Sequence, residues 1–161
     1  MSEVRVLGPI EVVGDDGQHL RIGGPQPQRL VAALALLSTG AVSNDRLVEA
    51  VWPDEGSRPE DPRNSLQAYV SRLRSAGLAI DRAGDGYALG AEVTVDSRQF
   101  VAQLEQAAVL ARRADPGAAI AAASDALDRW RGEVGGGLGD EEWAYAASSH
   151  LSELRLQARE D

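Results

Sequence analysis

A chain of 161 residues, 43% hydrophobic and 25% charged, is long enough for one ordinary domain or two small ones and too apolar for a disordered one. Its formal net charge of −9 argues against a broadly basic nucleic-acid binder but leaves room for a local basic face. With no cysteine, disulfides, thiolate metal sites and cysteine nucleophiles are all removed.

The opening MSEVRVLG has no basic region followed by an apolar stretch, so no secretory signal is read and a cytoplasmic protein is expected. Residues 4–13 alternate loosely, and HLRI at 19–22 follows a GDDG turn, which predicts two short strands. A helix is predicted over 25–38: Pro25 and Pro27 suit a first turn, and Leu30, Leu34 and Leu37 form a stripe. Ala32, Ala33, Ala35 and Leu36 make the rest nearly apolar, so this helix should be largely buried. The apolar run 30–37 falls well short of the roughly 18 residues a membrane span needs. A second helix should start at the N-cap Ser43, turn Leu47, Val48 and Val51 inward, and stop at Pro53. After a polar loop, Asp61 and Pro62 supply a cap and an N1 proline for a third helix reaching Ala76, with Gly77 at C′. Residues 78–90 read as a hairpin around Gly84–Gly86.

Beyond Gly90 only helical periodicity remains. One helix is capped by Asp96 and carries Phe100, Leu104, Ala108 and Ala111 in line. The next starts at Asp115-Pro116 with Ile120, Ala123, Leu127 and Trp130, so the two can form an antiparallel helical hairpin. The glycine-rich GEVGGGLG at 132–139 is expected to be a flexible connector; no Gly-Lys-Ser/Thr follows it and no strand precedes it, so it is no phosphate loop. A last helix should begin at Asp140 and line up Trp143, Ala147, Leu151 and Leu154, with no fourth helix to pair with. Residues 1–90 carry 9 Arg against 12 Asp/Glu, and residues 91–161 carry 7 against 13, so the second half is the more acidic.

The segment NSLQAYVSRLR at 64–74 carries the functional signal. On a helical wheel of about 100° per residue, Leu66, Tyr69, Val70 and Leu73 share one side. Opposite them lie Asn64, Ala68, Ser71 and Ser75, all small. Arg63, Gln67 and Arg74 occupy one shoulder, Ser65 and Arg72 the other. A helix about 10–12 Å across fits a major groove about 12 Å wide. Small residues on its outer line let the backbone sit deep, while Arg and Gln reach guanine and adenine edges. The remaining polar groups and the Asp61-capped N-terminus can anchor phosphates. Arginine, which supplies all 16 basic residues here, grips phosphate or guanine bidentately. The wheel alone is equally compatible with an ordinary solvated helix face.

NSLQAYVSRLR followed by a hairpin ending in GYAL (86–89) resembles the recognition helix and wing of an OmpR/PhoB-type winged helix. VRVLGPIEV, GGPQPQRLVAALAL (23–36) and VSNDRLVEAVWPDE (42–55) resemble the version found in SARP-type bacterial transcriptional activators. There a bacterial transcriptional activation domain follows, whose start VDSRQFVAQLEQA (95–107), ALDRWRG (126–132) and LSELRLQARED (151–161) resemble. The likeness spans essentially the whole chain and rests on the order and spacing of these strings. It implies an α+β winged helix-turn-helix domain over 1–92 and an all-α, TPR-like helical hairpin segment over 93–161, the N-terminal part of the activation domain.

The resemblance implies DNA binding in the major groove, with Gln67, Ala68 and Arg72 at base-contacting positions and Arg74, Ser65 and Tyr69 at or near phosphates. Tyr69 suits the core equally well. With Arg63, Asn64, Ser71 and the hairpin's Arg82, the five others, Ser65, Gln67, Ala68, Arg72 and Arg74, form the expected DNA-binding set. The loop 52–60 falls where such proteins touch RNA polymerase or its sigma factor, and family members pair on tandem direct repeats, which implies a homodimer on DNA. The location implied is cytoplasmic and nucleoid-associated. Three departures stand out. Ala88 occupies a wing position where a basic residue is common, and Gln26 lies near a common lysine. The chain also stops where several helices of the activation domain would follow, as in an N-terminal fragment or a shortened member, so Leu151 and Leu154 would need cover.

No enzyme is expected: Asp and Glu read as caps and solvated faces. His19 and His150 have no ligand spacing around them, so neither a metal nor a cofactor is expected. The alternative is a winged-helix protein-interaction module that has lost DNA affinity, which the charge of −9 and Ala88 would suit.

Overall fold

Strands β1 (Glu3–Arg5) and β2 (Glu11–Val13) fold back on each other as an antiparallel pair, Val4 opposite Val12. In the computed structural model, which describes residues 2–160, the predicted strand 19–22 is reduced to one bridge between Val13 and His19. His19 and Arg21 are exposed while Leu20 and Ile22 pack half-buried on the core, and beyond the bridge the Leu20 N–H donates to the Val12 carbonyl at 2.8 Å. Helix α1 (Pro25–Leu36) opens with Pro25 at N1 and buries Leu30, Val31, Ala32, Ala33, Leu34 and Ala35, as its apolar composition requires.

The two-residue strand β3 (Val42–Ser43) leads into α2 (Asn44–Val51), whose Arg46 N–H is capped by the Ser43 hydroxyl at 3.3 Å. Helix α3 (Pro62–Ala76) is bounded as its sequence demands. The Asp61 carboxylate accepts from the Asn64 N–H at 3.2 Å, and Gly77 takes the left-handed conformation at φ 118°. Its buried residues are Leu66, Val70 and Leu73. Strands β4 (Ile80–Ala83) and β5 (Gly86–Leu89) form the predicted hairpin, and β5 also pairs with β3, giving sheet order β3-β5-β4. Gly86 is required at that crossing, because a Cβ there would fall onto the Val42 carbonyl.

The two halves share a sheet. Strand β6 (Thr94–Val95) runs parallel to β1, so β1 is the centre of the order β2-β1-β6. Helices α4 (Asp96–Arg112) and α5 (Pro116–Leu127) then form the predicted antiparallel hairpin, α5 capped by Asp115 through the Ala118 N–H. The chain is therefore a mixed α/β fold continued by a helical hairpin. Asp96 does not cap α4 as expected. Its side chain, 3% exposed, reaches back to accept the N–H groups of Val6 at 2.8 Å and Leu7 at 3.1 Å. Those two donors lie just past the end of β1 and have no strand partner, so the carboxylate satisfies them instead.

The glycine run is not a flexible connector. Residues 134–140 make 3₁₀ turns in which Gly135, Gly136 and Gly137 have positive φ, and the Gly135 N–H donates to the Val6 carbonyl at 2.7 Å. The glycines let this segment lie against Pro9 and Ile10 of the first half. The last helix, α6 (Tyr145–Glu160), starts later than Asp140, because the Glu141 backbone is held extended while its carboxylate pairs with Arg29. It packs on α4 and α5, so Leu151 is covered by its own chain and Leu154 is half-buried.

Two apolar clusters result. One gathers β1, β2, α1, α2, α3 and the β3-β5-β4 sheet around Leu30, Leu34, Leu47 and Leu66. The other gathers Leu7, Phe100, Ala126, Val134 and Leu151, with Trp130 edge-on to Phe100 at 5.5 Å.

Candidate nucleic-acid interface

Burying Leu66, Val70 and Leu73 against the first cluster turns the opposite line of α3 outward by helix geometry. Asn64, Ala68, Ser71 and Ser75 are all exposed, so no other part of the described chain covers that ridge. Arg63, Gln67, Arg72 and Arg74 flank it and are exposed too, while Ser65 is half-buried.

The structure brings Arg63, Asn64, Gln67 and Arg82 together. They line a polar cleft of about 280 Å³ between the start of α3 and the β4–β5 turn, with Asn44, Asp61, Asp85 and Tyr87. Arg72 and Arg74 lie further along α3, outside the cleft. Arg74 is partly committed inside the fold, since its Nε donates to the Ile80 carbonyl at 2.7 Å. That bond fixes the start of β4 to the last turn of α3. Arg72 sits over the Tyr69 ring at 5.9 Å from its centroid, and Tyr69 in turn leans on Trp52, ring centroids 6.0 Å apart. Tyr69 is half-buried and packed on the core.

Sequence reasoning did not bring Asn44, Asp45 or Asp85 to this place. They arrive because β3 pairs with β5, Val42 opposite Tyr87 and Ser43 opposite Gly86. The Asn44 N–H then donates to the Asp85 carbonyl at 2.8 Å. A two-residue strand leaves no periodic pattern to find.

The loop 52–60 is anchored at one end and open along its length. Trp52 is 5% exposed, and the Arg58 Nε donates to its carbonyl at 3.0 Å. A single 3₁₀ turn, Glu55–Ser57, is closed by Asp54, whose carboxylate accepts from the Gly56 N–H at 3.0 Å. Residues 53–57 are exposed. Ala88 is half-buried on β5, so no basic side chain stands at that position of the hairpin. Among the described residues no group of three or more His, Asp or Glu is placed to hold a metal, and no helix is long and apolar enough to cross a membrane.

Comparison with known proteins bears on both halves. Residues 95–161 match the bacterial transcriptional activator domain. The chain is 33% identical over 164 residues to the regulatory protein AfsR of Streptomyces coelicolor, covering 96% of this chain and 16% of AfsR. It is 30% identical to the transcriptional regulatory protein MoaR1 of Mycobacterium tuberculosis, covering 96% of this chain and 52% of MoaR1. The chain thus spans about half or less of the curated relatives it matches. Among solved structures it resembles Mycobacterium tuberculosis EmbR in complex with a low affinity phosphopeptide. The TM-score there is 0.81 at 29% identity, covering 98% of this chain and 43% of EmbR.

Proposed function

The chain belongs to the SARP-type family of bacterial transcriptional activators, and from that premise we propose that it binds promoter DNA sequence-specifically through α3. In this reading residues 1–92 are an OmpR/PhoB-type winged-helix domain, with α3 as recognition helix and the β4–β5 hairpin as wing. Residues 93–161 are the N-terminal part of the activation domain. Met1 and Asp161, the outer ends of these two spans, lie outside the described residues.

The observation that carries the proposal is the uncovered ridge of Asn64, Ala68, Ser71 and Ser75, edged by arginines and Gln67. Its small side chains admit a groove wall, and its shoulders carry donors matched to base edges and phosphates. Gln67, Ala68 and Arg72 would face bases; Ser65, Arg74 and the outer edge of Tyr69 would face the backbone, with Arg82 reaching from the wing. The exposed loop 52–60 would meet RNA polymerase or its sigma factor, and two copies would occupy tandem repeats. Action in the cytoplasm, at the nucleoid, follows from that role.

Binding-site selection from random duplex DNA, followed by polarisation titration over a salt series, tests the proposal. With ~4–5 phosphate contacts the log–log salt slope should be about −4. Arg72→Ala should cost about 1–3 kcal/mol and relax preference at one position. Failure of the well-folded chain to enrich any sequence at low salt overturns the reading. The rival, an interaction module without DNA affinity, draws on the charge of −9 and on Ala88. It requires indifference to Arg72→Ala and Arg74→Ala with partner binding retained.

A further inference from the structure

Arg63 opens α3 at the mouth of the cleft, and both ends of its guanidinium face carboxylates. Nη2 lies 3.5 Å from Asp45 Oδ1, in the first turn of α2, and Nη1 lies 3.5 Å from Asp85 Oδ1, in the hairpin turn. Neither carboxylate is there by chance of a long side chain. Asp45 is set by the Ser43-capped start of α2, and the Asp85 backbone is bonded to the Asn44 N–H at 2.8 Å. Two backbones that are tied together therefore present two acids to one arginine. The other end of the same helix face differs: among the described residues neither Arg72 nor Arg74 forms an ion pair.

We propose that the Asp45–Arg63–Asp85 bridge is a built-in brake on DNA affinity, holding one arginine of the proposed recognition helix away from phosphate. The inference rests on the DNA-binding reading above. A phosphate that engages Arg63 competes with two carboxylates for it, and those acids then stand beside the duplex. All three side chains are more than half exposed, so the pairs are weak and solvent-screened. That suits a brake: strong enough to hold Arg63 in the free protein, weak enough to give way where a bound sequence rewards it. Association with DNA would then draw its charge neutralisation from the Arg72 end of α3.

The test is a titration of the selected DNA over a salt series, with variants checked by thermal melting. The wild-type chain should lose almost nothing in salt slope on Arg63→Ala, since that charge is already paired. Asp45→Asn with Asp85→Asn should tighten binding roughly 3- to 10-fold and steepen the slope by about one phosphate contact. Arg63→Ala on that background should abolish both gains. Asp81→Asn removes one acid from the same hairpin, as Asp85→Asn alone does; set against that single variant it reports the long-range effect and should change affinity much less. If Asp45→Asn alters melting, Asp85→Asn alone carries the same comparison. A gain that persists without Arg63, no gain at all, or a gain matched by Asp81→Asn overturns the brake while leaving DNA binding in place. A wild-type chain that binds no selected DNA removes both, and is recognised by failing before any variant is made.

Discussion

The two apolar clusters are built differently. The first closes around α1, which is buried on nearly every side, and leucines 30, 34, 47 and 66 are fully buried within it. The second has Leu7 and Phe100 as its fully buried large side chains, and the α4–α5 hairpin contributes little else than Phe100 and Ala126. Beyond that point the hairpin and α6 line an apolar groove of about 830 Å³, with Leu104, Ala108, Ala111, Ile120 and Ala123 among its residues. Ile120 is 68% exposed there. The first half is held by a core that takes little more than Val93, Val95 and Trp143 from the second. The second, thin in core of its own, is joined to the first by Leu7 within its cluster and by the β1–β6 pairing. Polar ties add to these: Asp96 to Val6 and Leu7, Arg98 to the carbonyls of Leu34 and Ser38 at the end of α1, and Arg29 to Glu141.

Phe100→Ala should have the largest effect, about 3–5 kcal/mol. The loss should fall on the second half, where little else can take up the cavity. Hydrogen exchange should show α4–α6 opening while α1–α3 stay protected; uniform loss of protection would erase the distinction between the halves.

Asp96→Ala should come next, at about 3 kcal/mol, because it leaves two N–H groups unsatisfied among buried neighbours. The same residue gives a pH signature. Burial holds the Asp96 carboxyl above its ordinary value of 3.8, against the opposing pull of the Val6 and Leu7 N–H groups and of Arg131. The folded chain therefore binds that proton more tightly than the unfolded chain. The contribution of the carboxyl is greatest at acid pH and is lost as pH rises through its folded value. Denaturation of the wild type and of Asp96→Asn should show the wild-type advantage shrinking from about pH 4 upward. An advantage that grows with pH would mean that the two N–H donors outweigh burial.

Arg29→Met should cost less, about 1 kcal/mol. The pair with Glu141 is bidentate, at 2.7 and 2.6 Å, but both side chains remain about a quarter exposed. Its mark should be faster exchange in the 134–144 region rather than a large shift in global melting. The smallest effect expected is from Ile120→Ser, within about 0.5 kcal/mol, since that side chain lies open at the groove. A large destabilisation would reveal that the groove closes on Ile120 in solution.

What could be read in advance follows the range of the forces involved. Helix α3 announced itself locally: an aspartate cap, an N1 proline, a buried stripe at helical spacing and a terminal glycine all agree, and the structure keeps each. The hairpin at 80–89 and the Asp115 cap were legible for the same reason. The partnership of β1 with β6 was not, because Glu3 meets Thr94 and Val4 meets Val95 across most of the first half, and two residues make no pattern. Asp96 resembled a cap because caps are local; its true partners lie some ninety positions away. The glycine run resembled a linker because composition cannot show that Pro9 crowds Gly136 or that three successive residues take positive φ. The exposed line of α3 was legible from the wheel, but the acids that confront Arg63 were not, since they come from two other elements.

The pairing of Glu3–Arg5 with Thr94–Val95 also bears on how the protein can be cut. Trimming after residue 92, the natural place to isolate the proposed DNA-binding part, would remove a neighbour rather than a tail. One flank of the central strand would be stripped of its hydrogen-bond partners, and a bare flank of that kind recruits strands from other molecules. Self-association seen in such a shortened protein would then report a wound in the sheet, and only a version extended past Asp96 would reveal how copies meet on their own account.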